Sequence, residues 1–331
     1  MVLTIFLLIL GAIFLYKGAD FLVSGSSNVA KVLGISTLVI GMTVVSFGTV
    51  VPELFVGILA AFRGETLIPV GNLIGTIMFN LAFVMGLMAL ILPFSVEKYT
   101  VRRELLFLIL ALVIFFLLGS DSNLSRLDGV VLLILFIILN YYYFKKLEVK
   151  VFWHEISSHW RLFFRNLEHI FLKEKKEEEK SEIWQNIIYV FLGLFLTFVG
   201  ARLLLGSAEE IAKTFGISQL VIGLTIIAIG TSLPELATAL TATFRKKHDV
   251  GVGDLMGAGL NNILLVIGLV AVIQPITLNA NVLRFDFPVL ILVLLLLLLF
   301  MRSKNVLSRL EGFILICFYL VYIIYICFTI F

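Results

Sequence analysis

Gly48-Thr49-Val50-Val51-Pro52-Glu53 interrupts the apolar run from Leu38 to Phe62, and Gly230-Thr231-Ser232-Leu233-Pro234-Glu235 repeats the interruption later in the chain. Each proline has no N–H for the carbonyl four residues back, and its ring clashes with that carbonyl, so backbone oxygens around Gly48 and Gly230 leave the helical ladder. In hydrocarbon such oxygens must find a partner or line a polar cavity. A carboxylate at that depth costs roughly 2.5–3.5 kcal/mol even on lenient insertion scales, which marks Glu53 and Glu235 as functional groups. Threonine, freed carbonyl and carboxylate within two helical turns form an all-oxygen cluster suited to a hard cation such as Ca²⁺, Mg²⁺ or Na⁺. For one copy alone, a proline-kinked packing helix whose Glu pairs with a neighbour explains the pattern equally well.

Around these stretches the composition is that of a membrane protein. The 331 residues are 61% hydrophobic and 14% charged, with a mean hydropathy of +1.12, too apolar for a soluble domain. The net charge of +3 carries no nucleic-acid signal. Cys317 and Cys327 share the last apolar run, off a common helix face, and say nothing of redox compartment. Val2–Tyr16 lacks the basic flank of a signal peptide and reads as a first span.

Apolar runs near 2–22, 38–62, 67–92, 104–119, 127–144, 184–206, 220–244, 250–274, 284–301 and 310–331 predict ten helical spans. Gly18-Ala19 matches Gly200-Ala201, Gly34-Ile35-Ser36 matches Gly216-Ile217-Ser218, Pro52-Glu53 matches Pro234-Glu235 and Pro93 matches Pro275, always at the separation of Glu53 from Glu235. Leu124-Ser125-Arg126-Leu127-Asp128-Gly129 is echoed by Leu307-Ser308-Arg309-Leu310-Glu311-Gly312. The chain therefore reads as two copies of a five-span unit, 1–144 and 184–331, joined by the polar loop 145–183. An odd number of spans inverts the second copy in the bilayer, giving an all-α polytopic protein built as inverted five-helix repeats, the plan of secondary transporters.

With the N-terminus outside, Lys17, Lys31, Lys98, Arg102, Arg103, the 145–183 loop, Arg245, Lys246, Lys247, Arg302, Lys304 and Arg309 are cytoplasmic, leaving Arg63, Arg126, Arg202, Lys213 and Arg284 outside. The expected location is a cell membrane, crossed many times. In the loop, Trp153, Ile156, Trp160, Phe163, Phe164, Leu167, Ile170 and Phe171 recur at helical spacing opposite charged residues, as in an amphipathic helix lying in the interface. His154 and His159 are five apart, one too many for a zinc-protease helix.

A second constellation follows each interruption: Gly71-Asn72-Leu73-Ile74-Gly75-Thr76-Ile77-Met78-Phe79-Asn80, and Gly253-Asp254-Leu255-Met256-Gly257-Ala258-Gly259-Leu260-Asn261-Asn262. Thr76 and Asn80 share a helix face, as do Asp254, Ala258 and Asn262. Ser46, Thr49 and Glu53 share another, as do Ala228, Thr231, Glu235 and Thr238.

On these residues the chain resembles the cation/calcium exchanger superfamily, most nearly the prokaryotic-type sodium/calcium exchangers, whose paired alpha-repeats carry G-T-S-x-P-E and then G-S-x-x-x-N/D. The resemblance covers both halves and implies a ten-helix antiporter that binds ions among its second, third, seventh and eighth helices. It implies Glu53 and Glu235 as central Ca²⁺ ligands, with the carbonyls of Thr49 and Thr231 beside them. Side chains of Thr49, Thr231, Ser232 and Thr76, with carbonyls at Ser46 and Ala228, are implied as Na⁺ ligands, and Asn80 and Asn262 complete the ring. The first and sixth spans resemble the family's mobile gating pair. The chain departs from the family at Val50 and Ala258, where Ser or Thr is usual, and at Asn262, where several members have Asp. Ser46 and Asp254 stand one turn before the lost hydroxyls and are placed to compensate in part, although Asp254 reads equally well as an interfacial residue after a basic loop.

Two facing carboxylates repel, so a cavity without cations resists crossing the low-dielectric barrier, whereas one Ca²⁺ or compensating monovalent cations neutralise it. Exchange of Ca²⁺ for Na⁺ by alternating access is the leading reading. Proton-coupled divalent-cation antiport is the alternative, because paired carboxylates can share a proton. A cation channel fits less well, since channels close a ring of selectivity residues around an axis. No nucleophile-and-base set lies in any span, so neither an enzyme nor a cofactor is expected beyond the transported ions.

Overall fold

The computed structural model describes residues 2–33, 36–64, 67–95, 98–152, 177–215, 228–279, 282–303 and 306–330. The expected amphipathic helix of the long loop falls on 153–176, outside the described residues, as do 216–227 of the seventh span. Seven described helices are long and apolar enough to cross a bilayer, and the bent pair Thr37–Thr49 and Val51–Phe62 makes an eighth span. Lys98–Leu118, the fourth span, and the described 228–244 of the seventh complete the ten.

The third and eighth spans form the centre, 72% and 78% buried, whereas the first and sixth are 22% and 28% buried. The latter two run far past their apolar stretches, as Val2–Leu33 and Glu177–Thr214. At 1.5 Å per residue, the shorter is about 48 Å long against a hydrocarbon core of about 30 Å. Lys17 and Arg202, counted above as loop charges, thus lie within helices rather than in connections.

The first and sixth helices meet along a glycine seam. A Cβ on Gly11 or Gly18 would stand 2.9 Å from the carbonyl of Gly200 or Gly193 respectively, and one on Gly200 or Gly193 would stand 2.8 Å from that of Gly11 or Gly18. Gly11 and Gly18 are the repeat mates of Gly193 and Gly200, so each half of the seam is made by the other half's equivalents. The seam is closed at both ends by equivalent polar bonds, Thr4 Oγ1 to Glu210 Oε1 at 3.0 Å and Asn28 Nδ2 to Asn186 Oδ1 at 3.1 Å. Only Gly permits such backbone contact, which is how helices gain van der Waals energy where lipid offers no hydrophobic drive.

The same reciprocity recurs elsewhere. Gly86 packs on the Gly312 carbonyl and Gly129 on the Gly268 carbonyl, joining the third span to the tenth and the eighth to the fifth. Short antiparallel ladders pair Phe94–Ser95 with Val306–Leu307 and Asn123–Leu124 with Ile276–Thr277, one strand from each repeat in both. Alternation of the spans puts these ladders on opposite sides of the membrane, as inversion requires. The fifth and tenth helices open with equivalent caps: Ser125 N and Oγ bond Asp128 Oδ2 at 2.8 and 2.7 Å, and Ser308 N and Oγ bond Glu311 Oε2 at 2.7 Å. Such reciprocal caps satisfy donors that the first helical turn would otherwise leave bare. At the start of the fourth and ninth spans, Glu104 accepts from Arg103 and Tyr143, and its mate Asp286 accepts from Tyr322 at 3.0 Å.

Candidate ion-binding site

The second span bends by 44° at Val50, between Thr37–Thr49 and Val51–Phe62. Val50 N still reaches the Ser46 carbonyl at 3.1 Å and Leu54 N the Val50 carbonyl at 3.0 Å, so the ladder is cut where Pro52 has no proton to give. The seventh span repeats the break, Ala228–Thr231 followed by Leu233–Phe244 with Pro234 in its first turn. Glu53 and Glu235 therefore stand in the first turn after each break, 1% and 0% exposed, with no hydrogen-bond partner on any of their four carboxylate oxygens. Buried carboxylates so bare are costly unless a cation meets them.

Close approach of the neighbouring helices builds the walls. A Cβ on Gly41 would lie 3.2 Å from Gly253 Cα, and one on Gly257 2.7 Å from Ser46 Cβ, so the second and eighth spans touch backbone to backbone. Across that contact the Thr49 hydroxyl donates to Asp254 Oδ1 at 2.9 Å, with the Ser46 carbonyl a second acceptor at 3.2 Å. The equivalent contact between the seventh and third spans has the Thr231 hydroxyl donating to Asn72 Oδ1 at 3.2 Å. Thr76 Oγ1 and Ser232 Oγ, also joining those two spans, lie 3.2 Å apart. Their mates, Ala258 and Val50, instead pack together as an apolar pair with Val266.

Asn80 and Asn262 are buried in single π-helical turns, Phe79–Val84 and Asn262–Val266. Both polar atoms of the Asn80 amide and the Asn262 nitrogen lack partners. Wide turns of this kind inside α-helices recur at functional sites because the extra residue re-aims side chains. A further π-turn, Gly41–Val45, leads directly into Ser46.

Of the expected residues, the structure brings Thr49, Glu53, Ser46, Thr76, Asn80, Thr231, Ser232, Glu235 and Asn262 into the buried junction of these four spans. Ser46 serves it through backbone and side chain already engaged: its hydroxyl donates to the Met42 carbonyl and accepts from Asn261 Nδ2 at 3.1 Å. Its carbonyl takes bonds from Val50 N and the Thr49 hydroxyl. Ala228 opens the short helix of the seventh span, and its side chain is outside the described residues. Asp254 is no interfacial residue: it is 0% exposed, and Oδ2 has no partner. Asn72, Asn261 and Thr238 belong to the same junction; Thr238 is buried with an unpartnered hydroxyl one turn beyond Glu235. Asn72 and Asp254 occupy one register position in the two repeats, a pairing visible in the sequence.

Among the described residues no three acidic, His or Cys side chains stand close enough to hold one metal ion. The fitting donor set is therefore two carboxylates completed by carbonyl, hydroxyl and amide oxygens and water, a combination Ca²⁺ accepts. Zinc or copper would favour His or Cys ligands, and among the described residues no such cluster is found.

Residues 3–145 and 185–328 match the family model described as "Sodium/calcium exchanger protein". CaxA of Alkalimonas amylolytica is 36% identical over 282 residues, 85% of this chain and 83% of its own. The sodium/calcium exchanger MaX1 of Methanosarcina acetivorans is 28% identical over 341 residues, 96% of this chain and 97% of its own. A solved structure of the sodium-calcium exchanger NCX_Mj, soaked with zero Na⁺ and Ca²⁺, superposes with a TM-score of 0.82 at 30% identity, over 98% of this chain and 99% of that one.

Proposed function

The chain belongs to the sodium/calcium exchanger protein family, and on that premise we propose that it is a secondary-active antiporter exchanging Ca²⁺ for Na⁺ at the Glu53–Glu235 site by alternating access. The observation that carries this reading is the pair of buried, unpartnered carboxylates, each in the first turn after a proline break, contributed by inverted repeats to one junction. The two glutamate charges are balanced by one Ca²⁺ or by two Na⁺, so the two loads compete for the same four carboxylate oxygens. Loading with either lets the junction cross the low-dielectric barrier, and the bare carboxylates hold it back, which couples the two fluxes. Glu53 and Glu235 bind Ca²⁺ with the carbonyls of Thr49 and Thr231 and the amides of Asn80 and Asn262. Thr76 and Ser232, already 3.2 Å apart, offer two hydroxyls to Na⁺.

The repeats 1–144 and 184–331 act as the transport unit, the 145–183 loop faces the cytoplasm, and the N-terminus lies outside. The glycine seam makes the first and sixth helices a smooth pair that can slide as a gate over the packed remainder. Protons as partial counter-ions are a second reading, favoured by the apolar Val50–Ala258 contact, which removes two hydroxyls from the Na⁺ set. Purified protein in liposomes, given ⁴⁵Ca²⁺ and separately imposed Na⁺ and pH gradients, tests the proposal. Uptake should follow the Na⁺ gradient; uptake following neither gradient would refute antiport, and uptake following only the pH gradient would establish the second reading.

A further inference from the structure

Register position 72/254 is where the two halves of the junction differ in charge. Thr231 donates to an amide, Asn72, and Thr49 donates to an acid, Asp254, at nearly the same distance. Geometry is kept and one ionisable carboxyl is added. That carboxyl is wholly buried and its Oδ2 has no hydrogen-bond partner. The added acid falls in the same half that has lost its hydroxyls, since Asp254 and Ala258 lie one turn apart on the eighth span facing Thr49 and Val50 of the second. The other half keeps the hydroxyls, Thr76 and Ser232, and has the neutral amide.

We propose that Asp254, with the Thr49 hydroxyl, is a monovalent-cation ligand between the second and eighth spans, supplying by full charge what Val50 and Ala258 no longer supply by hydroxyl dipoles. This rests on the antiport reading above and extends it. Three buried carboxylates need three positive charges for a neutral barrier crossing, so Ca²⁺ at Glu53 and Glu235 travels with one monovalent cation at Asp254. Among the described residues the three acids do not converge on a single metal centre, and Asp254 Oδ1 is held by the Thr49 hydroxyl. Thr49 donates its proton to Asp254 Oδ1, so its lone pairs remain available and Oδ2 is the open anionic oxygen. A carboxylate oxygen binds a dehydrated Na⁺ with fewer companions than neutral hydroxyls require, because charge count substitutes for ligand count.

Equilibrium binding to purified, detergent-solubilised protein tests this without relying on transport. At saturating ⁴⁵Ca²⁺ the wild-type protein should retain one ²²Na⁺, or one ⁸⁶Rb⁺ if the larger alkali ion is preferred, and Asp254→Asn should retain neither while still binding Ca²⁺. In liposomes Asp254→Asn should raise the Na⁺ concentration for half-maximal exchange about tenfold, equivalent to about 1.4 kcal/mol, and Val50→Ser with Ala258→Ser in that background should recover part of it. Complete displacement of both tracers by Ca²⁺ from the wild-type protein would overturn the proposal, whether or not the variant folds. So would loss of Ca²⁺ binding by Asp254→Asn in Na⁺-free buffer, which would make Asp254 a divalent ligand. Wild-type protein that co-binds both ions yet transports under no gradient would sink the antiport reading and leave this site standing.

Discussion

Glu53→Gln should change the protein in two opposite directions, and the opposition is what separates an ion ligand from a structural carboxylate. Glu53 is 1% exposed and both its oxygens lack hydrogen-bond partners, so solvent screens it little and no donor neutralises it. The buried-pair limit therefore applies: removing one partner costs roughly 3–5 kcal/mol, against 0–1 for a surface pair. At 1.4 kcal/mol per decade, Ca²⁺ affinity should fall by about two to three and a half orders of magnitude. Without Ca²⁺ the sign reverses, because a repelling charge has been removed. At an effective dielectric of ~20 two like charges repel by about 4 kcal/mol at ~4 Å and by less as they separate, so the ion-free variant should melt above the ion-free wild type. Thermal unfolding of purified protein with and without Ca²⁺ reads both effects. Wild-type protein at a hundred times its Kd gains about 2.7 kcal/mol from the ligand, and the variant at the same concentration should gain almost nothing. A variant that melts below wild type without Ca²⁺, or keeps the Ca²⁺-dependent gain, would refute Glu53 as a ligand.

Replacing Thr76 by Val together with Ser232 by Ala removes the hydroxyl pair of one half-site and should cut Na⁺-driven Ca²⁺ uptake at least tenfold, the scale of a lost buried hydroxyl interaction, with Na⁺-free ⁴⁵Ca²⁺ binding nearly unchanged; equal loss of both would mean the pair is part of the divalent site. Gly18→Leu drives a side chain into the Gly193 carbonyl, 2.9 Å from its Cβ, and should destabilise the protein by about 1–3 kcal/mol and slow exchange; wild-type turnover would show that the seam does not move in transport. Replacing 151–180 by a flexible linker should leave basal exchange intact, since this stretch lies outside both repeats, and absence of transport in well-inserted protein would contradict that. Tyr143→Phe should cost about 1–3 kcal/mol by withdrawing a donor from buried Glu104, visible as a lower melting temperature with an unaltered Ca²⁺ requirement.

Much of this architecture is legible in the chain because duplication writes it twice. Proline, glycine and glutamate recurring at one offset locate both breaks, and an odd number of spans forces inversion. What escapes the sequence is set by tertiary contact. Asp254 reads in the sequence either as compensating the hydroxyl lost at Ala258 or as an interfacial residue after a basic loop, and what decides is that its helix starts at His248 and Gly41, Gly253 and Gly257 draw the second span over it. The π-turns at Asn80 and Asn262 have no residue signature, since an inserted residue is tolerated wherever packing satisfies the displaced carbonyl. Nor do the apolar runs reveal the full reach of the first and sixth helices, whose polar ends Thr4, Asn28, Asn186 and Glu210 are held by bonds across the seam.

The contrast between the Thr76–Ser232 pair and its mates Val50 and Ala258 also gives the transporter a handedness in time. An axis lying in the membrane plane carries equivalent positions to mirrored depths, so the hydroxyl pair is met first from one face and the apolar pair with its carboxylate first from the other. Detailed balance forbids this asymmetry from choosing the direction of net flux, which the gradients alone decide. It leaves entry and exit rates free to differ between the faces. A duplicated fold with unlike halves is thus free to exchange ions faster at one face than at the other, while remaining fully reversible at equilibrium.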